Sequence, residues 1–96
     1  MYNLRIANTR WYDVQLQDGR VLHLEPPSMG ILRHIEQLDG TVDDMAAAVA
    51  DVLSKNKKGT RISKEEVLRT MTLEECSGLI TAYMAWVNGE RESDPN

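Results

Sequence analysis

The sequence has very little cysteine and no long apolar run. Cys76 is its only cysteine, so the chain can form no internal disulfide and nothing indicates an oxidising compartment. Residues 1–10 lack the apolar core of a signal peptide, and no apolar run approaches the ~20 residues needed to cross a bilayer. These absences predict a cytoplasmic protein that does not enter membranes.

The sequence also lacks a surplus of positive charge. It has 11 lysines and arginines against 15 aspartates and glutamates, a formal net charge of -4. A general nucleic-acid binder needs excess cations to displace counterions from phosphate, so nucleic acid is not the expected partner. The one basic run, residues 55–61, reads as a solvated loop after a helix. The alternative is a small DNA-binding regulatory protein that uses this loop, with the hairpin as a wing.

The length and composition predict one globular domain. The 96 residues show no internal repeat and no long glycine, serine or proline tract, which is enough for one domain and too little for two. We expect a single α+β domain over residues 1–89 and a flexible polar C-terminal tail over residues 90–96.

Alternating apolar residues predict strands in the first quarter of the chain. Asp18-Gly19 is a strong signal for a hairpin with a type I′ turn. The pattern predicts an antiparallel hairpin, or a three-stranded meander if the segment around Leu4 and Ile6 joins it. One face of the sheet then carries Tyr12, Val14, Leu16, Leu22 and Leu24, and it needs a cover.

About four helices follow, and we expect them to provide that cover. Pro26-Pro27 ends the sheet and opens the first helix, whose apolar residues are Met29, Leu32, Ile35 and Leu38, with Gly40 as terminator. Thr41 caps a second helix with an apolar stripe of Val42, Met45, Ala46, Val49, Val52 and Leu53. Two capping boxes, Ser63 with Glu66 and Thr72 with Glu75, start the last two helices. The apolar residues of the first of these two helices are Val67, Leu68 and Met71. Those of the last helix are Leu73, Cys76, Leu79, Ile80, Tyr83, Met84 and Val87.

No catalytic or metal-binding motif stands out. His23 and His34 have no cysteine pair beside them, and neither an HExxH nor a CxxC pattern is present. We interpret both histidines as solvent-facing and Cys76 as a core residue of the last helix. The prediction is a protein that is not an enzyme and needs no cofactor, metal or small-molecule substrate. An enzyme or metal protein that combines Cys76 with either histidine is the competing hypothesis.

Large apolar side chains outside the centres of these stripes are candidates for partner contacts. Trp11 lies on the strand face opposite the apolar one, and Trp86 lies beside the last stripe, near Met84. Tryptophan and methionine are enriched where proteins meet, so we predict partner binding by Trp11, Met84 and Trp86. Packing within the monomer is the alternative for each.

The order of these features resembles the small tail assembly chaperones of long-tailed bacteriophages and prophages. The resemblance covers most of residues 10–88. It is carried by Tyr12 to Leu16, Asp18 to Leu24, Pro26-Pro27 with its apolar helix, Ile62 to Val67, Leu79 to Tyr83, and Trp86-Val87.

This resemblance implies a function in the host bacterial cytoplasm. Such chaperones bind the long, hydrophobic, helical tape measure protein and keep it soluble during tail assembly. A longer frameshifted form recruits the tail tube protein, and family members self-associate, so the resemblance implies a homo-oligomer. It supplies no catalytic residue.

Overall fold

The chain folds as an α+β domain in which a two-stranded hairpin precedes four helices, as the sequence predicted. A computed structural model describes residues 1–4 and 10–89. The predicted strand around Leu4 and Ile6 and the predicted tail over 90–96 involve residues outside this part. The elements are β1 (Tyr12–Gln15), β2 (Val21–Leu24), α1 (Met29–Glu36), α2 (Val42–Ser54), α3 (Lys64–Thr70) and α4 (Leu73–Val87).

The hairpin is confirmed, but its turn differs from the prediction. The antiparallel register pairs Tyr12 with Leu24, and the Leu16 N–H donates to the Arg20 carbonyl at 2.8 Å. Three residues therefore lie between Leu16 and Arg20, the last hydrogen-bonded pair before the turn. Gly19 has φ +95°, and only glycines have a positive φ in the described chain, so Asp18 does not. A type I′ turn needs two such residues, so the loop is the three-residue kind that ends in a left-handed glycine.

A short segment after α2 extends the sheet at β2. The Glu25 N–H donates to the Lys55 carbonyl and the Lys57 N–H donates to the His23 carbonyl, both at 2.9 Å. Asn56 forms the bridge to Leu24 between them. This segment covers the outer edge of β2, on the side of the sheet opposite the strand predicted around Leu4 and Ile6. The sequence predicted a loop here.

Each of the four helices that follow the hairpin begins with a side-chain cap. Ser28, Thr41, Ser63 and Thr72 each accept a hydrogen bond from the backbone N–H three residues later. Such caps satisfy donors that have no partner inside the helix. The cap at Ser28 places the start of α1 two residues beyond Pro26-Pro27, so the prediction that the proline pair opens this helix was wrong by that margin.

Only one of the two predicted capping boxes is complete. Glu75 reaches back to the Thr72 N–H at 2.8 Å, and together they form the box. Glu66 instead forms an ion pair with Arg20 in the hairpin. The local prediction failed there because a long-range cation competes for the same carboxylate.

Helix α2 is the centre of the core. It packs against β2, α1, α3 and α4, and its residues Ala48, Val49 and Val52 are fully buried. Tyr83 of α4 is also fully buried, and its hydroxyl donates to the Glu25 carbonyl at 2.7 Å. The buried apolar residues are Leu22, Leu24, Ala46, Ala48, Val49, Ala50, Val52, Leu53, Ile62, Val67, Cys76, Ile80 and Tyr83.

Helix α1 contributes less to the core than its apolar pattern predicted. It has no buried residue, and Met29 is 86% exposed. The helix ends at Glu36, so Leu38 and Gly40 lie beyond it. Ile31 and Ile35 pack against the core from one side. The prediction that Met29 and Leu38 belong to one inward-facing helical stripe was wrong. Leu38 lies beyond the end of α1, and Met29 is exposed because only one side of the helix contacts the core.

Candidate protein-binding surface

Two of the three predicted contact residues lie on α4 and pack against the domain itself. The Trp86 ring lies 5.5 Å from Tyr12 and 5.7 Å from Tyr83, measured between ring centroids. The Arg10 guanidinium lies 4.6 Å from the centre of the Trp86 ring. Met84 is half-buried against the core. Their role in partner binding stays a prediction, and the geometry shows that each also has a structural role.

Trp11 lies on the outer face of the hairpin, away from this aromatic cluster. It is 36% exposed, and the Lys57 ammonium lies 5.4 Å from the centre of its ring. No ring contact joins Trp11 to Trp86 in the described part of the chain. The predicted residues therefore do not form one surface.

A different apolar surface is formed where three helices meet. We call it the three-helix cleft. Helix α2 supplies Val42 and Met45, α3 supplies Leu68, and α4 supplies Leu73. Val42 is 63% exposed, Leu73 is 60% exposed and Leu68 is 36% exposed. The lining contains no charged side chain: it consists of Val42, Met45, Ala46, Val67, Leu68, Met71, Leu73 and Cys76.

The exposure of this cleft follows from where its residues lie on their helices. Val42 and Leu73 are the first residues of α2 and α4, directly after the caps Thr41 and Thr72. Each lies one turn before the buried residues of its helix, on the same side. At that position the neighbouring helix does not cover the side chain. The sequence assigned both residues to core stripes, and their position next to a cap was the signal that they stay exposed.

The shape and chemistry of the cleft fit a side chain of another protein. Its central cavity is about 50 Å³, whereas pockets for small molecules hold roughly 300–1,000 Å³. Met45 and Met71 line it, and methionine side chains adapt to irregular partners. The cleft can therefore accept the tip of one apolar side chain, with exposed apolar surface around it.

His34 is half-buried, and the prediction that it faces solvent was wrong. Its Nε2 lies 2.8 Å from Asp44 and its Nδ1 lies 3.3 Å from Asp51, both on α2. The hydrogen bond that His34 donates to Asp44 raises the pKa of His34, and the same bond lowers the pKa of Asp44. His34 thus links α1 to α2. His23, in β2, contacts Asp13 of β1 at 2.7 Å.

Cys76 of α4 lies in the core of the domain, as its place on the apolar stripe predicted. Cys76 is buried, and burial raises the pKa of its thiol, which opposes thiolate formation. Within residues 1–4 and 10–89, no group of three or more histidine, cysteine, aspartate and glutamate side chains is arranged to hold a metal ion.

The basic run over residues 55–61 is partly engaged within the domain. The Lys55 ammonium donates to Glu25 at 2.9 Å, and Lys57 lies over Trp11. DNA binding through this run stays a prediction. Two of its cations, Lys55 and Lys57, already contact residues next to the hairpin strands.

Comparison with known proteins adds no relative to this picture: no protein family, curated protein or solved structure matches the chain. No helix in the described ranges is long and apolar enough to span a bilayer.

Proposed function

We propose that this domain is a protein-binding module whose three-helix cleft accepts an apolar helical segment of a partner. The observation that carries the proposal is the exposure of Val42, Leu68 and Leu73 around a cavity with apolar walls. Exposed apolar side chains around a concave surface are typical of protein interaction sites.

A partner helix suits the cleft better than an extended peptide. A groove between helices takes an amphipathic helix by anchors at i, i+3, i+4 and i+7. One anchor fills the central cavity, and its neighbours on the same face cover Val42 and Leu73. Burying a leucine side chain contributes roughly 1.5–3 kcal/mol, so a few such anchors give useful affinity.

The identity of the partner comes from the resemblance to phage tail assembly chaperones. On this proposal the client is the hydrophobic, helical tape measure protein, and the domain keeps it soluble in the bacterial cytoplasm before the tail tube forms. The formal net charge of -4 favours solubility of the complex and suits a basic client. The tail tube protein is a further partner under the same proposal.

Co-expression with the tape measure protein tests the proposal. Leu73→Gln should lower the soluble yield of the client and weaken binding by about 1–2 kcal/mol, because it removes one apolar anchor. Leu73 is largely exposed, so the fold should tolerate the change.

Met29→Gln is the matched control, since Met29 is a large exposed apolar residue on α1 and does not line the cleft. Wild type and this control should keep the client soluble equally well. Equal client solubility with Leu73→Gln and Met29→Gln, or no effect of the wild-type domain on the client, would contradict the proposal.

A further inference from the structure

Helix α1 is held to the domain by few contacts. It is 8 residues long and has no buried residue, and α2 is the element of the described chain against which it packs. Ile31 and Ile35 provide the apolar part of that contact. A helix of this length is marginal in water without tertiary support, so α1 depends on what joins it to α2.

His34 supplies the polar part of the contact with both nitrogens of its ring. Nε2 lies 2.8 Å from an Asp44 oxygen, and Nδ1 lies 3.3 Å from an Asp51 oxygen. We call these three side chains the His34 cluster. Arg33 and Glu36, the other charged residues of α1, form no ion pair with the cluster in the described chain.

Only the protonated ring can donate to both aspartates. A neutral imidazole carries one N–H and one lone pair, whereas the imidazolium carries two N–H groups, and an ionised carboxylate only accepts. The contacts of the His34 cluster are therefore those of the charged ring. Such charge-assisted hydrogen bonds are stronger than neutral ones.

The surroundings of the cluster favour the charged ring. His34 lies in the last turn of α1, where the helix dipole stabilises a cation. The facing charges of α2 are Asp44 and Asp51, and from the α1–α2 turn the Asp39 N–H donates to Asp44 at 3.0 Å. The hydrogen bond to Asp44, together with the one to Asp51, outweighs burial and raises the pKa of His34.

Loss of the proton makes one of the two contacts repulsive. The shorter bond keeps its hydrogen, so Nε2 continues to donate to Asp44 and the proton leaves to water from Nδ1. The Nδ1 lone pair then faces the Asp51 carboxylate, and neither group can donate. The bond to Asp44 is no longer charge-assisted and is weaker. The attachment of α1 to α2 therefore weakens as pH rises through the pKa of His34.

We infer that the His34 cluster is a pH-sensitive link that controls how firmly α1 is attached to α2. With the ring charged, α1 stays packed on α2. With the ring neutral, α1 opens more often as a unit while the rest of the core stays folded. Opening exposes Ile31, Ile35 and the core surface beneath them. The inference goes beyond the proposed function, because it concerns α1 and not the three-helix cleft.

Amide hydrogen exchange measured by NMR at pH 6 and pH 9 tests this link. Protection factors remove the intrinsic pH dependence of exchange, so they report the opening itself. The amides of residues 32–37 should lose protection about two- to fivefold between the two pH values, as expected for ion pairs near the surface. Val49 and Val52 of α2 are fully buried, and their amides should stay at least about tenfold more protected at both pH values.

Asp51→Asn separates a pH-sensitive link from an ordinary structural contact. An asparagine amide can donate to the neutral Nδ1, whereas it accepts from the charged ring less strongly than a carboxylate does. Residues 32–37 of this variant should therefore be less protected than in the wild type at pH 6 and more protected at pH 9. Loss of a purely structural contact would lower protection at both. Asp43→Asn, which changes an exposed α2 carboxylate outside the cluster, should follow the wild-type profile.

His34→Gln should remove the fall in protection, whereas His23→Gln, in the hairpin, should keep it. Constant wild-type protection from pH 6 to pH 9, the same fall in His34→Gln, or Asp51→Asn below the wild type at both pH values would overturn the inference. Amides of α1 as protected as that of Val49 would also overturn it, because α1 would then open only with the whole domain. Each of these results leaves the Leu73→Gln test unaffected, so the two proposals fail separately.

Discussion

Substitution of Asn56 should destabilise the domain more than any other polar change in the loop after α2. Asn56 is buried, and its amide nitrogen donates to the Leu53 carbonyl at 2.8 Å and to the Thr60 carbonyl at 2.7 Å. Its amide oxygen accepts from the Thr60 N–H at 2.9 Å. One side chain thus joins the end of α2 to the returning loop, next to the bridge with Leu24.

The expected loss follows from these three hydrogen bonds. A typical internal bond contributes about 1 kcal/mol net, so Asn56→Ala should lower the free energy of unfolding by about 3 kcal/mol. In a domain of this size each kcal/mol moves the melting temperature by about 4–8 °C, which gives a fall of about 12–24 °C. Urea and thermal denaturation followed by circular dichroism measure both quantities.

Asn56→Asp separates the role of the donor from that of the acceptor. Aspartate keeps an oxygen for the Thr60 N–H, but at pH 7 it cannot donate to the two carbonyls and places a negative charge beside them. Its effect should be at least as large as that of alanine. Lys58→Ala, at an exposed position, should change stability by less than about 0.5 kcal/mol. A loss below about 1 kcal/mol for Asn56→Ala, or a stable Asn56→Asp variant, would refute the reasoning.

Three further predictions concern single side chains. The raised pKa of His34 means that its ion pairs with the α2 aspartates stabilise the fold at low pH and are lost as pH rises through that pKa. Unfolding free energy should therefore fall by about 0.5–1 kcal/mol from pH 6 to pH 9, and a His34→Gln variant that shows the same fall would contradict this. Cys76 should react slowly with iodoacetamide in the native protein and rapidly in urea, because it is buried; rapid native labelling would reopen a catalytic role. Trp86→Ala should cost about 2 kcal/mol of stability through its two tyrosine contacts, and a loss of partner affinity with unchanged stability would instead make it an interface residue.

Features governed by short-range patterns were predictable from the sequence. The hairpin face of Tyr12, Val14 and Leu16 follows from strict alternation, and the caps at Thr41 and Thr72 follow from hydroxyl residues before apolar runs. These signals lie within a few residues of the structure they specify, so no knowledge of the fold is needed to interpret them.

Features governed by distant contacts were not predictable. Glu66 had a local partner within reach, but the fold brings Arg20 to it from the hairpin. The segment at Asn56 pairs with β2 although its sequence has no strand pattern. Periodicity alone therefore could not reveal the protected edge of the sheet or the competition for Glu66.

The three-helix cleft was missed for a related reason. Apolar periodicity places Val42 and Leu73 on inward-facing stripes, but it does not specify how far along each helix the neighbouring helices extend. Their exposure depends on the lengths and crossing of α2, α3 and α4, which are properties of the assembled domain. Trp11 and Trp86 were predicted as contact residues because large rings are frequent at interfaces. Trp86 also packs in an aromatic cluster within the monomer, which was the alternative that the sequence left open.

Methionine methyl NMR during titration with a helical tape measure segment tests the central claim most directly. The chain has five methionines, of which Met45 and Met71 line the three-helix cleft, whereas Met29 and Met84 do not. If the cleft binds the segment, the methyl signals of Met45 and Met71 should shift in proportion to occupancy while those of Met29 and Met84 stay in place. Shifts confined to Met29 or Met84, or no shift at saturating peptide, would contradict the account.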